Sequence, residues 1–139
     1  RGFTDELTSA EGLGIAEVLE GDDDAEKSEL LLRRAIPRHG SIQALYNVGA
    51  GNRAVGAVIR GPLFPEPPLF IGHELTPFTI PMLRDGRMTF ALDQNPGQQA
   101  NFAIDVLMTH FGHTRVDGVA EPYHSPVPVT LYTPRNLTE

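Results

Sequence analysis

The chain has no cysteine, which excludes a disulfide framework and any thiolate nucleophile or metal ligand. Basic residues are few: 11 against 18 acidic ones, a formal charge of −7, with no cluster beyond Arg33 and Arg34. A stretch of this sign repels nucleic acid and offers it no binding face. No apolar run approaches the roughly 18 residues of a membrane span, so no membrane partner is expected. The G-x-S-x-G elbow, the H-E-x-x-H pair and the P-loop lysine motif are all missing, and the hydrolytic chemistries they carry lose their usual residues. There is no initiator Met, and the opening RGFTDEL reads as the tail of a helix whose start is missing, so a fragment is expected.

What is present is one domain's worth of chain, 139 residues with 40% apolar content. Residues 13–21, LGIAEVLEG, have the β-branched character of a strand. DDDAEKSELLLRRAIPRHG follows with a helical period. Asp23 and Glu26 stand in capping-box relation, Arg33, Arg34 and Arg38 fill the last turns, and Ala25, Leu32, Ala35 and Ile36 form the buried stripe. Strands at 42–47, 68–73 and 88–93 then alternate with helices near 51–60, 77–84 and 97–112. This alternation predicts an α/β fold, a parallel sheet of right-handed βαβ units. Pro62, Pro65, Pro67 and Pro68 make one stiff loop, and Pro122, Pro126 and Pro128 set off a last strand, VPVTLY, at an edge or crossover. Residues 113–125 have no periodicity and read as loop or hinge.

Each strand ends in polar residues: Tyr46 and Asn47, then His73 and Glu74, then Asp93, Gln94 and Asn95. Ligands of open α/β sheets bind beyond the carboxyl ends of the strands. Asn47 can donate and accept, and Glu74 and Gln94 can accept, as a polyhydroxylated ligand requires. The competing reading is that such residues only cap helices, as Asn47 or Asn95 could, and that Asp93 and Gln94 tie down a turn. The residues alone leave both open.

Other constellations are weaker. Gly49-Ala50-Gly51-Asn52-Arg53-Ala54 fits the dinucleotide fingerprint G-x-G-x-x-G/A, with Glu74 some twenty residues on at the next strand's end. The ordinary alternative is a tight strand-to-helix turn in which Gly supplies unusual backbone angles and Asn52 caps the helix. His110 and His113, with Glu121 and His124 nearby, could frame zinc, but helix-end histidines more often meet the dipole and water. No metal is expected. His73 beside Glu74 could act as an acid–base pair, yet adjacent strand residues point to opposite faces unless the strand end relaxes this. Asn136-Leu137-Thr138 is a glycosylation sequon at the chain's end.

RGF at the start, IQALYNVGAGNRAVGAVI, LFIGHELTPFTIPMLRDGRMTFALDQNPGQQANFAIDVLM and the closing VPVTLYTPRNL resemble the effector-binding domain of LacI/GalR-type transcriptional regulators. That domain shares the type I fold of periplasmic sugar-binding proteins, and the resemblance runs over about residues 2–137. It implies two Rossmann-like lobes joined by three crossovers, with the effector between them. Residues 1–75 and about 126–139 would then belong to the second lobe, about 88–112 would cross into the first, and the DNA-binding domain would be absent. The resemblance makes Asn47 the amide that holds sugar hydroxyls, Glu74 the acid that pairs with them, and Gln94 the residue at the cleft floor. His73, Tyr46 and Asp93 are further ligand contacts. Where Glu74 stands the family commonly has aspartate, and where His73 stands often an aromatic, which implies an effector other than the common hexoses.

The implied function is that of a bacterial, cytoplasmic sugar or polyol sensor, not an enzyme and without a cofactor. It would reach DNA only through the missing N-terminal domain and pair as a homodimer, with helix 52–60 contributing. The alternatives are a periplasmic sugar-binding protein of an ABC transporter and, second, the dinucleotide-binding domain of an oxidoreductase.

Overall fold

Apolar strands followed by amphipathic helices build the sheet one unit at a time in the computed structural model, which describes residues 2–113 and 127–137. The elements are α1 (Gly2–Ser9), α2 (Ala25–His39), β1 (Ala44–Tyr46), α3 (Asn52–Ile59), β2 (Leu69–His73), α4 (Thr79–Arg84), β3 (Phe90–Asp93), α5 (Pro96–His110) and β4 (Thr130–Tyr132). The sheet order is β1-β2-β3-β4. The first three strands are parallel, with Tyr46 beside Ile71 and His73 beside Leu92, while β4 closes the edge antiparallel, Leu131 beside Leu92.

Side-chain alternation divides the sheet. Phe70 and Gly72 point toward α3 and α4, and there the core forms from Leu32, Ile36, Val55, Val58, Phe70, Leu83 and Met88. Gly72 is a glycine for a steric reason: a Cβ there would come within 2.5 Å of Asn52 Oδ1 and 2.8 Å of Met88 Cε. α3 lies deepest of the helices, with only Arg53, Ala57 and Arg60 exposed. The opposite face of the sheet is thinly covered. Phe3 of α1 stacks on Tyr46 with ring centroids 4.0 Å apart, whereas Leu69 is 55% exposed. α5 buries none of its residues. Among the described residues no helix is long and apolar enough to cross a membrane.

Three local expectations fail. Residues 13–21 form no strand, because among the described residues no ladder lies beyond β1 for them to join. Leu13, Ile15 and Val18 are exposed, and the segment is held instead by Leu19 on the core and by Glu17, which accepts from Arg38 and meets His39, each at 2.7 Å. The cap of α2 is Asp24 rather than Asp23: its Oδ1 accepts the Lys27 N–H at 3.0 Å. Ala25, at the helix's first turn, is exposed, so the buried stripe is Leu32, Ala35 and Ile36.

Candidate functional site

The strand-end residues sit on the last rungs of the ladder. The Asn47 N–H donates to the Ile71 carbonyl and the Glu74 N–H to the Leu92 carbonyl, each at 2.9 Å. Glu74 then turns left-handed, with φ 65°, a conformation that costs a non-glycine residue on the order of 1 kcal/mol. The turn is pinned by Thr79, fully buried, whose hydroxyl donates to the Glu74 carbonyl at 2.7 Å. Thr76 and Thr79 also cap each other, each backbone N–H donating to the other's hydroxyl oxygen, at 2.7 and 3.1 Å. As a result His73 and Glu74, which a regular strand would send to opposite faces, line the same recess.

His73 is clamped on both ring nitrogens. Gln94 Nε2 donates to His73 Nδ1 at 2.9 Å, and His73 Nε2 lies 2.8 Å from the Tyr46 hydroxyl. With Nδ1 accepting, the tautomer assigned from this network carries its proton on Nε2 and donates it to Tyr46. Burial lowers the His73 pKa, which favours the same neutral ring.

Asn47 donates from Nδ2 to the Gly49 carbonyl and to Asn52 Oδ1, both at 2.7 Å, and Asn52 Nδ2 donates in turn to the His73 carbonyl at 2.8 Å. Both Asn47 amide hydrogens are therefore engaged within the protein, which makes it a brace behind the cleft wall. Asn52 does not cap α3 as expected; the cap position is Gly51, with no side-chain bond, and the Asn52 amide is buried as a bridge. Asp93 Oδ1 accepts from the Asn95 N–H at 3.2 Å, so it does tie down a turn. Asn95, left-handed at the start of α5, reaches across to the Pro128 carbonyl beside β4.

Glu74 is the least satisfied group. Its Oε1 accepts only a long bond, 3.4 Å, from the Gln94 N–H, its Oε2 is shut off from solvent with no donor on it, and the Asp93 carboxyl lies within hydrogen-bonding reach, a contact that needs a proton on one of the two acids. Desolvation, with Asp93 beside it, raises the Glu74 pKa. A buried carboxylate oxygen without a donor is costly unless a ligand supplies one.

These groups open on a cleft of about 320 Å³ at the carboxyl end of the sheet. His73, Glu74 and Gln94 line it directly, with Asn52, Thr76 and an apolar lip of Val48 and Phe78. Of the remaining expected site residues, Tyr46 acts behind His73, Asn47 behind Asn52, and Asp93 beside Glu74. Arg53 also lines the cleft, its guanidinium 5.6 Å over the Phe78 ring. In the sequence Arg53 shows only as a filler position in the glycine fingerprint, and Phe78 as a lone aromatic before a short helix.

The competing readings meet specific obstacles. At the glycine turn, the Ala50 N–H that a pyrophosphate would need donates to Asp23 Oδ1 at 2.9 Å, and this carboxylate lies so close to Gly49 that a Cβ there would overlap it. An anion would face a carboxylate already in place. Nor do the glycines supply left-handed angles: neither Gly49 nor Gly51 has positive φ. For zinc, Glu121 and His124 lie outside the described residues, and among the described residues no group of three His, Asp or Glu side chains could hold a metal. His73 and Glu74 share a cleft without a hydrogen bond between them, the ring being held by Tyr46 and Gln94.

Residues 1–114 match the family described as periplasmic binding protein domain. No curated protein matches the chain in sequence. Among solved structures the chain is similar to GanP, a glucose-galactose binding protein from Geobacillus stearothermophilus, with a TM-score of 0.84 at 19% identity over 99% of this chain and 48% of that one. An ABC transporter solute binding protein from Burkholderia graminis C4D1M, in complex with D-arabinose, gives 0.81 at 20% identity over 97% and 47%. Another from Agrobacterium vitis, bound with alpha-D-tagatopyranose, gives 0.82 at 16% over 99% and 45%. The chain thus spans about half the length of the structures it matches. At these identities the likeness is one of fold.

Proposed function

Because the chain belongs to the periplasmic binding protein domain family, we propose that it forms one wall of an interlobe cleft that binds a sugar or polyol. The observation that carries this reading is Glu74, an acid with no protein donor on its Oε2 and Asp93 beside it, in a recess that also presents Gln94 and Asn52. A polyol's hydroxyls each give and take a hydrogen bond, and a carboxylate flanked by amides suits them. The sugar-bound relatives support the ligand class. The role is binding rather than turnover.

In this reading residues 1–75 and about 126–139 form one lobe, and α5, which buries none of its own residues, crosses toward the other. Closure of the two lobes on the ligand shifts the protein toward the closed state by the ligand's differential affinity for it. The setting we favour is a sugar-binding protein of an ABC transporter, since the matched structures include such proteins. The effector domain of a LacI-type regulator is the second reading, and its support is the sequence resemblance of 1–3, 42–59, 69–108 and 127–137 alone.

The test is a thermal-shift screen of the complete protein, both lobes present, against pentoses, hexoses, polyols and NAD. A concentration-dependent rise in melting temperature with one sugar or polyol supports the reading. A rise with NAD alone overturns it. DNA binding that changes when that sugar is added would select the regulator setting over the transport one.

A further inference from the structure

Arg53 stands between two recesses. Besides the cleft already described, it lines a second one of about 220 Å³, whose other residues include Arg60, Arg87, Pro81 and Met82. Arg53 and Phe78 belong to both, so the two recesses adjoin. Arg53 in α3 and Arg60 at its C-cap are seven residues apart, about two helical turns.

Three arginines, Arg53, Arg60 and Arg87, gather at this second recess. Lys27, Arg33 and Arg38 each have a carboxylate partner, as does Arg87, which binds Asp85 through Nε at 2.8 Å and Nη2 at 2.5 Å. Neither Arg53 nor Arg60 forms an ion pair among the described residues, although Arg60 lies near enough to Asp85 to help lower its pKa. Three arginines against one aspartate leave a local excess of two positive charges in a protein of net charge −7. Arg53 is already seated over the Phe78 ring, so less side-chain freedom is lost when it takes an anion.

We infer that the ligand of this cleft carries an oxyanion group, a phosphate or a carboxylate, which Arg53 and Arg60 hold in the second recess while its hydroxylated body lies against Glu74 and Gln94. This rests on the sugar reading above and narrows it to acidic sugars. The guanidinium fork matches both groups in bidentate geometry. Glu74 and Asp93 repel negative charge at their end of the cleft, which fixes the ligand's direction: hydroxyls toward Glu74, oxyanion toward Arg53.

The test is calorimetry on the complete protein with matched triples: a neutral sugar, its uronic acid and its terminal phosphate, in the gluco, galacto and pentose series. The expected result is that one acidic member binds roughly tenfold or more tightly than its neutral partner, the uronate and phosphate arms separating the two sources. Arg53→Gln should remove most of that preference and Arg60→Gln a smaller part of it, with circular dichroism unchanged in both. A neutral member that binds as tightly as its acidic partners, or more so, overturns the oxyanion inference and leaves the sugar reading standing. No binding across all triples overturns both.

Discussion

Asn52 holds the backbone of His73: its Nδ2 donates to the His73 carbonyl at 2.8 Å, tying the first turn of α3 to the last residue of β2. Through Asn47, which donates to Asn52 Oδ1, the same amide also reaches the end of β1. Two strand ends and a helix start are fixed by one buried side chain, and the cleft is built on that junction.

Replacing Asn52 with Ala removes one of the two acceptors of the Asn47 amide and the side-chain donor to the His73 carbonyl. The expected cost is about 1–3 kcal/mol, read in urea denaturation of the complete protein as a lower midpoint with unchanged slope. An unchanged midpoint would show the bridge to be incidental.

Gly72→Ala should destabilise by about 1–3 kcal/mol through overpacking, since the new methyl meets Asn52 Oδ1 and Met88 Cε. In the double variant with Asn52→Ala one of those obstacles is gone, so the two losses should sum to more than the measured total. Strict additivity in a double-mutant cycle would refute the contact.

Glu74 has its pKa raised by desolvation and then by Asp93, so in the window above the ordinary carboxylate range the folded state binds more protons than the unfolded one. Stability therefore falls as pH rises through that window, and above it the ionised group is a burden in the empty cleft. Glu74→Gln should stabilise the unliganded protein above that window by on the order of 0.5 kcal/mol after solvent screening, seen as a higher melting temperature, and the gain should vanish in acid. The same variant should weaken ligand binding roughly tenfold. Melting scans from pH 4 to 8 and calorimetry check the two halves.

His73 behaves in the opposite sense. Burial lowers its pKa, so below the ordinary histidine range the unfolded state takes up the proton first, and stability is lost as pH falls from about 6.5 toward the folded value. Protonation also puts a hydrogen on Nδ1, facing the Gln94 amide that now donates to it. Imidazole proton shifts followed by NMR should give a His73 midpoint below 6.5, and ligand affinity should fall over the same range. A midpoint at or above that value would contradict the neutral clamp.

The order of elements is legible because period-2 apolar strands and period-3.6 helices alternate without interruption from 44 to 110. The same local cues misread 13–21, whose β-branched residues lack a ladder to join, since strand formation depends on a neighbour that composition does not reveal. His73, Glu74 and Gln94 could be read from their place at strand ends. Their shared cleft could not, because it depends on the left-handed turn at Glu74 and on Thr79 pinning it. Arg53 was hidden for a different reason: an exposed arginine on a helix is ordinary until the fold brings a second recess and Phe78 beside it.

In the sheet order β1-β2-β3 each parallel strand joins beside the one made just before it. During synthesis every new βα unit therefore finds its docking edge already outside the ribosome, and the core can grow by accretion from the amino end rather than waiting for distant segments. β4 is the exception, pairing with β3 only after α5 has been made. The Asn95 bond to the Pro128 carbonyl is thus a late stitch, closing the carboxyl end of the sheet once the first three strands are in place.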